Sequence, residues 1–187
     1  MQSKKQMKNV KKKGQKMTEI ELLKKALDKK QYVSEVKVPE YAVHSEKEIK
    51  GFFGDYRYLS NFYPCPLGIW YEGLKYPSTE HAYQAAKVDS HDRLPFTTCN
   101  AKEVKRLGGS VLLDKKEWDN VKYDVMLQLV TQKFAVHKGL REKLLSTDNA
   151  YLEETNHWKD VCWGVYEGKG QNKLGEILMV VRKFWKK

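Results

Sequence analysis

The stretch Tyr76-Pro77-Ser78-Thr79-Glu80-His81-Ala82-Tyr83-Gln84-Ala85-Ala86-Lys87 decides how the rest of this chain is read. Ser78 and Thr79 offer an N-cap, and a helix over about 79–88 is predicted to follow. At 100° per residue, Glu80, Gln84 and Lys87 share one face with Tyr83 beside them, while Ala82, Ala85 and Ala86 form the opposite one. Small residues let a helix approach its neighbour closely, which fixes its position. A rigidly held helix that carries a carboxylate, an amide and an ammonium on one face is a platform for a site. The pattern alone also suits, and more often accompanies, an ordinary helix whose polar face meets water.

Working outward, Phe52-Phe53, Leu59 to Tyr63 and Leu67 to Tyr71 are short aromatic-rich runs broken by Gly54, Pro64, Pro66, Gly68 and Gly73. Such runs predict short strands and tight loops. Downstream, Asn100 with Glu103 three residues later opens a helix that Gly108-Gly109 stops. Residues 115–136 carry the longest helical pattern, with Trp118, Val121, Val125, Leu129 and an offset Phe134 along one side. Gly139 to Leu145 continues as a short helix. The last helix starts near Asn172 and aligns Leu174, Ile177, Leu178, Val181 and Trp185 on one stripe. The predicted fold is α+β and predominantly helical, a compact single domain with a few short strands.

The chain also carries an N-terminal extension. Thr18-Glu19-Ile20-Glu21 is a capping-box pattern, and Ile20, Leu23 and Leu27 follow at helical spacing, so a helix over about 18–30 is expected. Residues 31–50, with Val33, Val36, Val38 and Pro39, read as an accessory strand or linker. The organisation expected is a Lys-rich tail at 1–16, a helix-and-linker extension at 17–50 and the folded domain at 51–187. Of the net charge of +11, seven units come from the seven Lys of residues 1–16, which hold no acid. A lysine block without apolar partners is expected to be disordered. It suits weak attachment to nucleic acid, and somewhat better a solubilising or incidental tail.

Composition excludes several classes. Eleven Tyr, six Phe and five Trp in 187 residues are too much aromatic mass for an unpacked polymer. The longest apolar run, Ile177 to Val181, falls far short of the ~20 residues a membrane helix needs. No secretory signal is visible behind the basic N-terminus. Cys65, Cys99 and Cys162 include no Cys-x-x-Cys pair, which argues against a disulfide framework or a zinc knuckle. A cytoplasmic chain without membrane contact is the expectation. The five histidines show no metal-ligand spacing, and no Gly-x-Ser-x-Gly elbow or dinucleotide fingerprint is present, so a metal enzyme, an α/β serine hydrolase and a Rossmann dehydrogenase are set aside.

Two further segments carry chemistry. In Asp160-Val161-Cys162-Trp163-Gly164 an acid and an indole sit three apart, and a Trp beside Gly outside a regular element presents a flat face to a ring. The same pattern suits a core Trp beside a turn. Gly168-Lys169-Gly170-Gln171-Asn172-Lys173 leads into a helix, where free N–H groups and two lysines suit a phosphate. A plain glycine turn explains it better on these grounds.

Taken together and in order, these segments resemble the NADAR superfamily of YbiA-like N-glycosidases. The resemblance rests on Phe53-Gly54, Leu59-Ser60-Asn61-Phe62-Tyr63-Pro64, Tyr76 to Lys87, and Ala101-Lys102-Glu103-Val104-Lys105-Arg106-Leu107-Gly108. It continues through Trp118, Val125-Met126 and Lys133-Phe134. It closes with Asp160-x-x-Trp163-Gly164, Gly170-x-Asn172-x-Leu174-Gly175 and Leu178-Met179-x-x-Arg182. It spans about 51–185, and Cys162 stands where an aromatic is more usual. The resemblance implies hydrolysis of N-glycosidic bonds without a cofactor. The family's substrates include ribosylamino-pyrimidine phosphate intermediates of riboflavin biosynthesis and, in other members, ADP-ribose attached to guanine. It implies functional roles for Glu80, Trp118, Asp160 and Trp163, with Asn61, Lys87 and Asn172 in the neighbouring motifs as substrate-binding positions.

Cleaving a C1′–N bond develops an oxocarbenium-like sugar, which a carboxylate stabilises while it or a second acid activates water. Glu80 is the expected essential carboxylate, with Asp160 as its helper or as a ribose ligand. Trp118 and Trp163 are expected to stack on base or sugar, and Lys87 to neutralise phosphate. A basic tail suits an enzyme that visits nucleic acid, which puts removal of ADP-ribose from guanine ahead of riboflavin-intermediate cleavage. A non-catalytic ADP-ribose-binding module is the alternative from another class.

Overall fold

The computed structural model describes residues 38–186. The Lys-rich tail, the helix expected over 18–30 and the first part of the linker lie outside the described residues. From residue 43 onward the remainder of the linker belongs to the domain's own sheet. Strand β1 (Val43–His44) pairs antiparallel with β2 (Glu48–Lys50), and β2 pairs in parallel with β5 (Tyr151–Glu153), Ile49 standing opposite Leu152. The domain therefore begins before residue 51, with strand partners drawn from both ends of the sequence.

The second sheet is a hairpin of β3 (Ile69–Tyr71) and β4 (Leu74–Tyr76), Ile69 opposite Tyr76. Its two-residue turn, Glu72-Gly73, has φ of 42° and 82°, the doubly positive geometry that matches the twist of a tight hairpin. The aromatic runs before it are not strands. Gly54–Leu59 forms a 3-10 helix, and i→i+3 bonds such as Ser60 N–H to the Arg57 carbonyl occupy groups a strand would offer to a neighbour. Tyr58 is buried there and donates its hydroxyl to the Lys143 carbonyl at 2.8 Å.

Among the described residues, five α-helices follow the local signals closely. Helix α1 (Thr79–Ala85) is capped by Ser78, whose hydroxyl accepts the His81 N–H. Helix α2 (Ala101–Gly109) opens with a complete capping box of Asn100 and Glu103. Helix α3 (Lys115–Val136) starts at Asp114, whose carboxylate accepts two backbone N–H groups. Helices α4 (Lys138–Ser146) and α5 (Lys173–Trp185) complete the set. Helix α3 is the spine, packed against α1, α4, α5 and β3.

The buried face of α3 is turned from the expected stripe. Met126, Leu129, Val130, Lys133 and Phe134 are buried, whereas Val121 is 47% exposed. Only the C-terminal half of the helix crosses the core; its first turns run out beyond it and flank a cavity. On α5 the expected Leu174, Ile177, Leu178 and Val181 are buried and Trp185 is half-buried. Leu129, Phe134, Ile177 and Leu178 have no exposed surface at all. Truncating any of them to alanine is expected to cost about 2–5 kcal/mol. No helix among the described residues is long and apolar enough to cross a membrane.

Candidate active site

A cavity of about 270 Å³ opens where α1, α2, the outer turns of α3 and the loop after β5 converge. It brings together Asn61, Glu80, Lys87, Trp118, Asp160 and Trp163, six of the seven residues expected to form the site.

One wall is α1. The Glu80 N–H donates to the Asn61 carbonyl at 2.9 Å, which ties the first turn of the helix to the loop after Leu59. The Glu80 side chain is 7% exposed. Gln84, one turn on, donates from Nε2 to Glu80 Oε1 at 2.7 Å and accepts the Lys87 ammonium on Oε1 at 2.7 Å. Ammonium, amide and carboxylate thus form a relay along one helix face, the face the sequence spacing defined. Burial pushes the Glu80 carboxyl above the ordinary range, opposed by the Gln84 hydrogen bond and by Lys105 and Lys87. Burial likewise pulls Lys87 down, opposed by Glu80 and aided by Lys105.

Two residues outside the wall hold it in place. Gly108 on α2 is buried against α1, and a Cβ there would overlap the Gln84 amide. The glycine read as a helix stop is what allows Gln84 to stand between Glu80 and Lys87. Lys133 on α3 is 1% exposed and donates to the Tyr58 carbonyl at 2.6 Å and the Ser60 carbonyl at 2.9 Å. Burial pulls its ammonium down to about 8, opposed by Cys65. Lys133 fixes the loop whose next residue, Asn61, receives the Glu80 N–H. Asn61 itself is buried with its Oδ1 unpartnered, a free acceptor at the cavity.

An aromatic wall stands beside the relay. Tyr83 lies between the two tryptophans, 5.3 Å from Trp118 and 5.4 Å from Trp163 between ring centroids, and Lys87 Nζ lies 5.6 Å from the Tyr83 ring. Burial raises the Tyr83 hydroxyl strongly, so this ring is neutral. At the mouth, Lys105 Nζ lies 5.6 Å from the Phe62 ring and 5.1 Å from the ring of Trp158, which is 41% exposed.

The opposite wall is the loop after β5. Asp160 Oδ1 accepts the N–H groups of both Cys162 and Trp163 at 2.9 Å, so one oxygen of this carboxylate organises the loop that presents the indole. Asn156 closes the same loop, accepting the Asp160 N–H at 3.0 Å and donating to the Asp160 carbonyl at 2.8 Å. Asn172 does not reach the cavity. It sits in the left-handed region (φ 50°) at the start of α5, accepts the Glu154 N–H and donates to the Leu152 carbonyl and the Tyr151 hydroxyl. Its side chain is engaged in holding β5. Lys169 and Lys173, considered for phosphate, are also absent from the cavity lining.

The structure adds Glu154, Lys105, Phe62 and Trp158 to the site and sets Tyr83, expected beside Glu80, between the two tryptophans. Lys105 and Phe62 stand inside motifs that carry the family resemblance, and that position was their available signal. Glu154 had none, because it follows Glu153 in a polar run. Among the described residues no group of three or more His, Cys, Asp or Glu could hold a metal ion.

Comparison with known proteins gives a concordant result. A family model described as the NADAR domain matches residues 46–185. The chain is 37% identical over 131 residues to a riboflavin biosynthesis protein of Vibrio vulnificus, covering 67% of this chain but only 35% of that longer protein. It is 33% identical over 141 residues to the N-glycosidase YbiA of Escherichia coli, covering 69% of this chain and 81% of the relative. The NMR structure of E. coli YbiA superimposes with a TM-score of 0.65 at 32% identity, covering 79% of this chain and 89% of the other.

Proposed function

The chain belongs to the NADAR family, and from that membership and the geometry of the cavity we propose that it is an N-glycosidase. The reaction is hydrolysis of the bond between C1′ of a phosphorylated ribose and the nitrogen of a base. The observation that carries this reading is the buried Glu80 carboxylate, held at a cavity edge by the Gln84–Lys87 relay and faced by an aromatic wall.

As the C1′–N bond lengthens, positive charge develops on the ribose ring, and a carboxylate in a poorly solvated cavity stabilises it far more than water does. Gln84 keeps the carboxylate aimed, and Lys87 keeps Gln84 in its donating orientation. Water attacks C1′ and gives a proton to Glu80. Trp118 and Trp163, braced by Tyr83, hold the base or sugar, and Asn61 Oδ1 accepts from a ribose hydroxyl or base N–H.

For the substrate we favour ADP-ribose on guanine. The mouth supports this choice: Trp158 and the Lys105 ammonium offer a stacking surface and a positive charge beyond the inner pocket, as a pyrophosphate with a second nucleoside needs. A ribosylamino-pyrimidine phosphate is the second reading, favoured by the name of the Vibrio relative. A module that binds ADP-ribose without cleaving it fits less well, since buried carboxylates beside an anionic ligand weaken binding.

The test is to incubate the protein with guanine-ADP-ribosylated DNA and, separately, with the ribosylamino-pyrimidine phosphate, following released sugar phosphate by mass spectrometry. Release that disappears in Glu80→Gln is expected. Binding of ADP-ribose without release from either substrate would replace the enzyme with the binding module.

A further inference from the structure

The hydrolysis needs a proton for the departing base as well as a carboxylate for the sugar, and α1 supplies only the second. Glu154 lies immediately after β5 and lines the same cavity. Residues two apart on an extended chain face the same side, and Leu152, two positions earlier, has no exposed surface. Glu154 therefore points inward, whereas Glu153 turns away and accepts the Thr155 hydroxyl at 2.7 Å.

The backbone of Glu154 is clamped. Its N–H donates to Asn172 Oδ1 at 3.0 Å, its carbonyl accepts the Val165 N–H at 3.0 Å, and a Cβ on Gly164 would collide with that carbonyl. The carboxyl is different: Oε2 is sealed from solvent and has no hydrogen-bond partner. An ionised oxygen left so is costly, whereas a carboxylic acid is tolerated there, and Glu154 lines the cavity, so its proton is held beside whatever enters it.

Resting on the N-glycosidase reading above, we propose that Glu154, in its carboxylic-acid form, is the catalytic acid that protonates the leaving base. The C1′–N electron pair goes to the base nitrogen, which takes the Glu154 proton. Water adds to C1′ and gives its proton to the Glu80 carboxylate, and exchange of that proton back to Glu154 through solvent restores the site. The charged groups that act on Glu154 agree with this division. Burial dominates and Asp160 and Glu80 add to it, against Arg57 and Lys105, so the carboxyl is pushed up to about 8. Two carboxyl groups whose environments differ in this way take the acid and the base roles.

The experiment measures kcat against pH for the wild type, Glu154→Gln and Glu154→Asp on both substrates, together with the infrared carbonyl band of a protonated carboxyl. Expected are a wild-type rate that falls above about pH 8 and a carboxyl band that titrates with it. In Glu154→Gln the band is missing, kcat is lower by ~10²-fold or more and the alkaline fall is gone. Glu154→Asp should recover part of the rate. Undiminished turnover in Glu154→Gln, an alkaline limb that survives the substitution, or no protonated-carboxyl band at neutral pH would each overturn the assignment. Matching circular dichroism spectra and melting curves show whether a loss of rate is a loss of fold. A wild type inactive on both substrates would remove the N-glycosidase reading, and the infrared band would still report whether Glu154 holds its proton.

Discussion

The two carboxylate-bearing walls of the cavity are built on opposite principles. On α1 the Glu80 carboxylate receives a hydrogen bond from Gln84, which is itself held by Lys87, so the side chain is positioned through its charge. On the loop after β5 the backbone of Glu154 is fixed by Asn172 and Val165 while its Oε2 meets nothing. Burial raises both carboxyls, but at Glu80 the Gln84 hydrogen bond opposes it directly, while at Glu154 Oε2 no donor does.

That contrast breaks most visibly at Glu80. Glu80→Gln removes the charge but keeps the shape, and kcat should fall by about 10³-fold with an unchanged circular dichroism spectrum. Near-normal turnover in the folded variant would leave the relay with no role in chemistry. Next comes Gly108→Ala, which drives a methyl into the Gln84 amide without touching either carboxylate. It should lower kcat by roughly 10–100-fold and cost about 1–3 kcal/mol of stability from overpacking. An equal loss in Gly109→Ala, where a Cβ meets nothing and alanine favours the helix, would mean that the overlap with Gln84 is not its cause.

Stability against pH sharpens the other wall. Glu154 is held up to about 8 when folded against an ordinary 4.5, so its contribution is complete below pH 4.5 and is lost as pH rises through 8. Glu154→Gln should melt at a higher temperature than the wild type at pH 8, by a margin that closes towards pH 5. A variant that melts lower at pH 8 would show that Glu154 is an ionised partner of its basic neighbours. The smallest effect lies at the mouth, outside both walls. Trp158→Ala should raise KM a few-fold for guanine-ADP-ribosylated DNA and leave the ribosylamino-pyrimidine phosphate unchanged. Equal shifts on both substrates would remove the case for a second nucleoside there.

Features set by neighbours in sequence were legible in the chain. The capping box of Asn100 and Glu103, the Ser78 cap and the shared face of Glu80, Gln84 and Lys87 each depend on residues within two turns. What was hidden depends on partners far away. Helix α3 has apolar residues on more than one side, and only packing against α1, α4, α5 and β3 selects the face through Met126, Leu129 and Phe134 over the one through Val121. Gly108 looks like a terminator until Gln84 is seen beside it. Asn172 stands in a motif that resemblance assigns to substrate, yet its amide is fully occupied with β5 and Glu154. Glu154 is invisible in a Glu-Glu pair until the buried Leu152 sets the phase of the strand.

The parallel pairing of β2 with β5 has a consequence for the order of assembly. Lys50 stands opposite Glu153, and the Gly51 N–H reaches the Glu153 carbonyl at 2.9 Å, so the strand leading into Glu154 is completed by residues from the other end of the domain. Closing so long a loop costs more chain entropy than forming the helices and the hairpin, whose contacts are local, so the pairing is expected to come after them. A nascent chain would own its α1 wall while the opposing wall is still unfastened, and the cavity would be complete only when β2, made early, is captured by β5, made late.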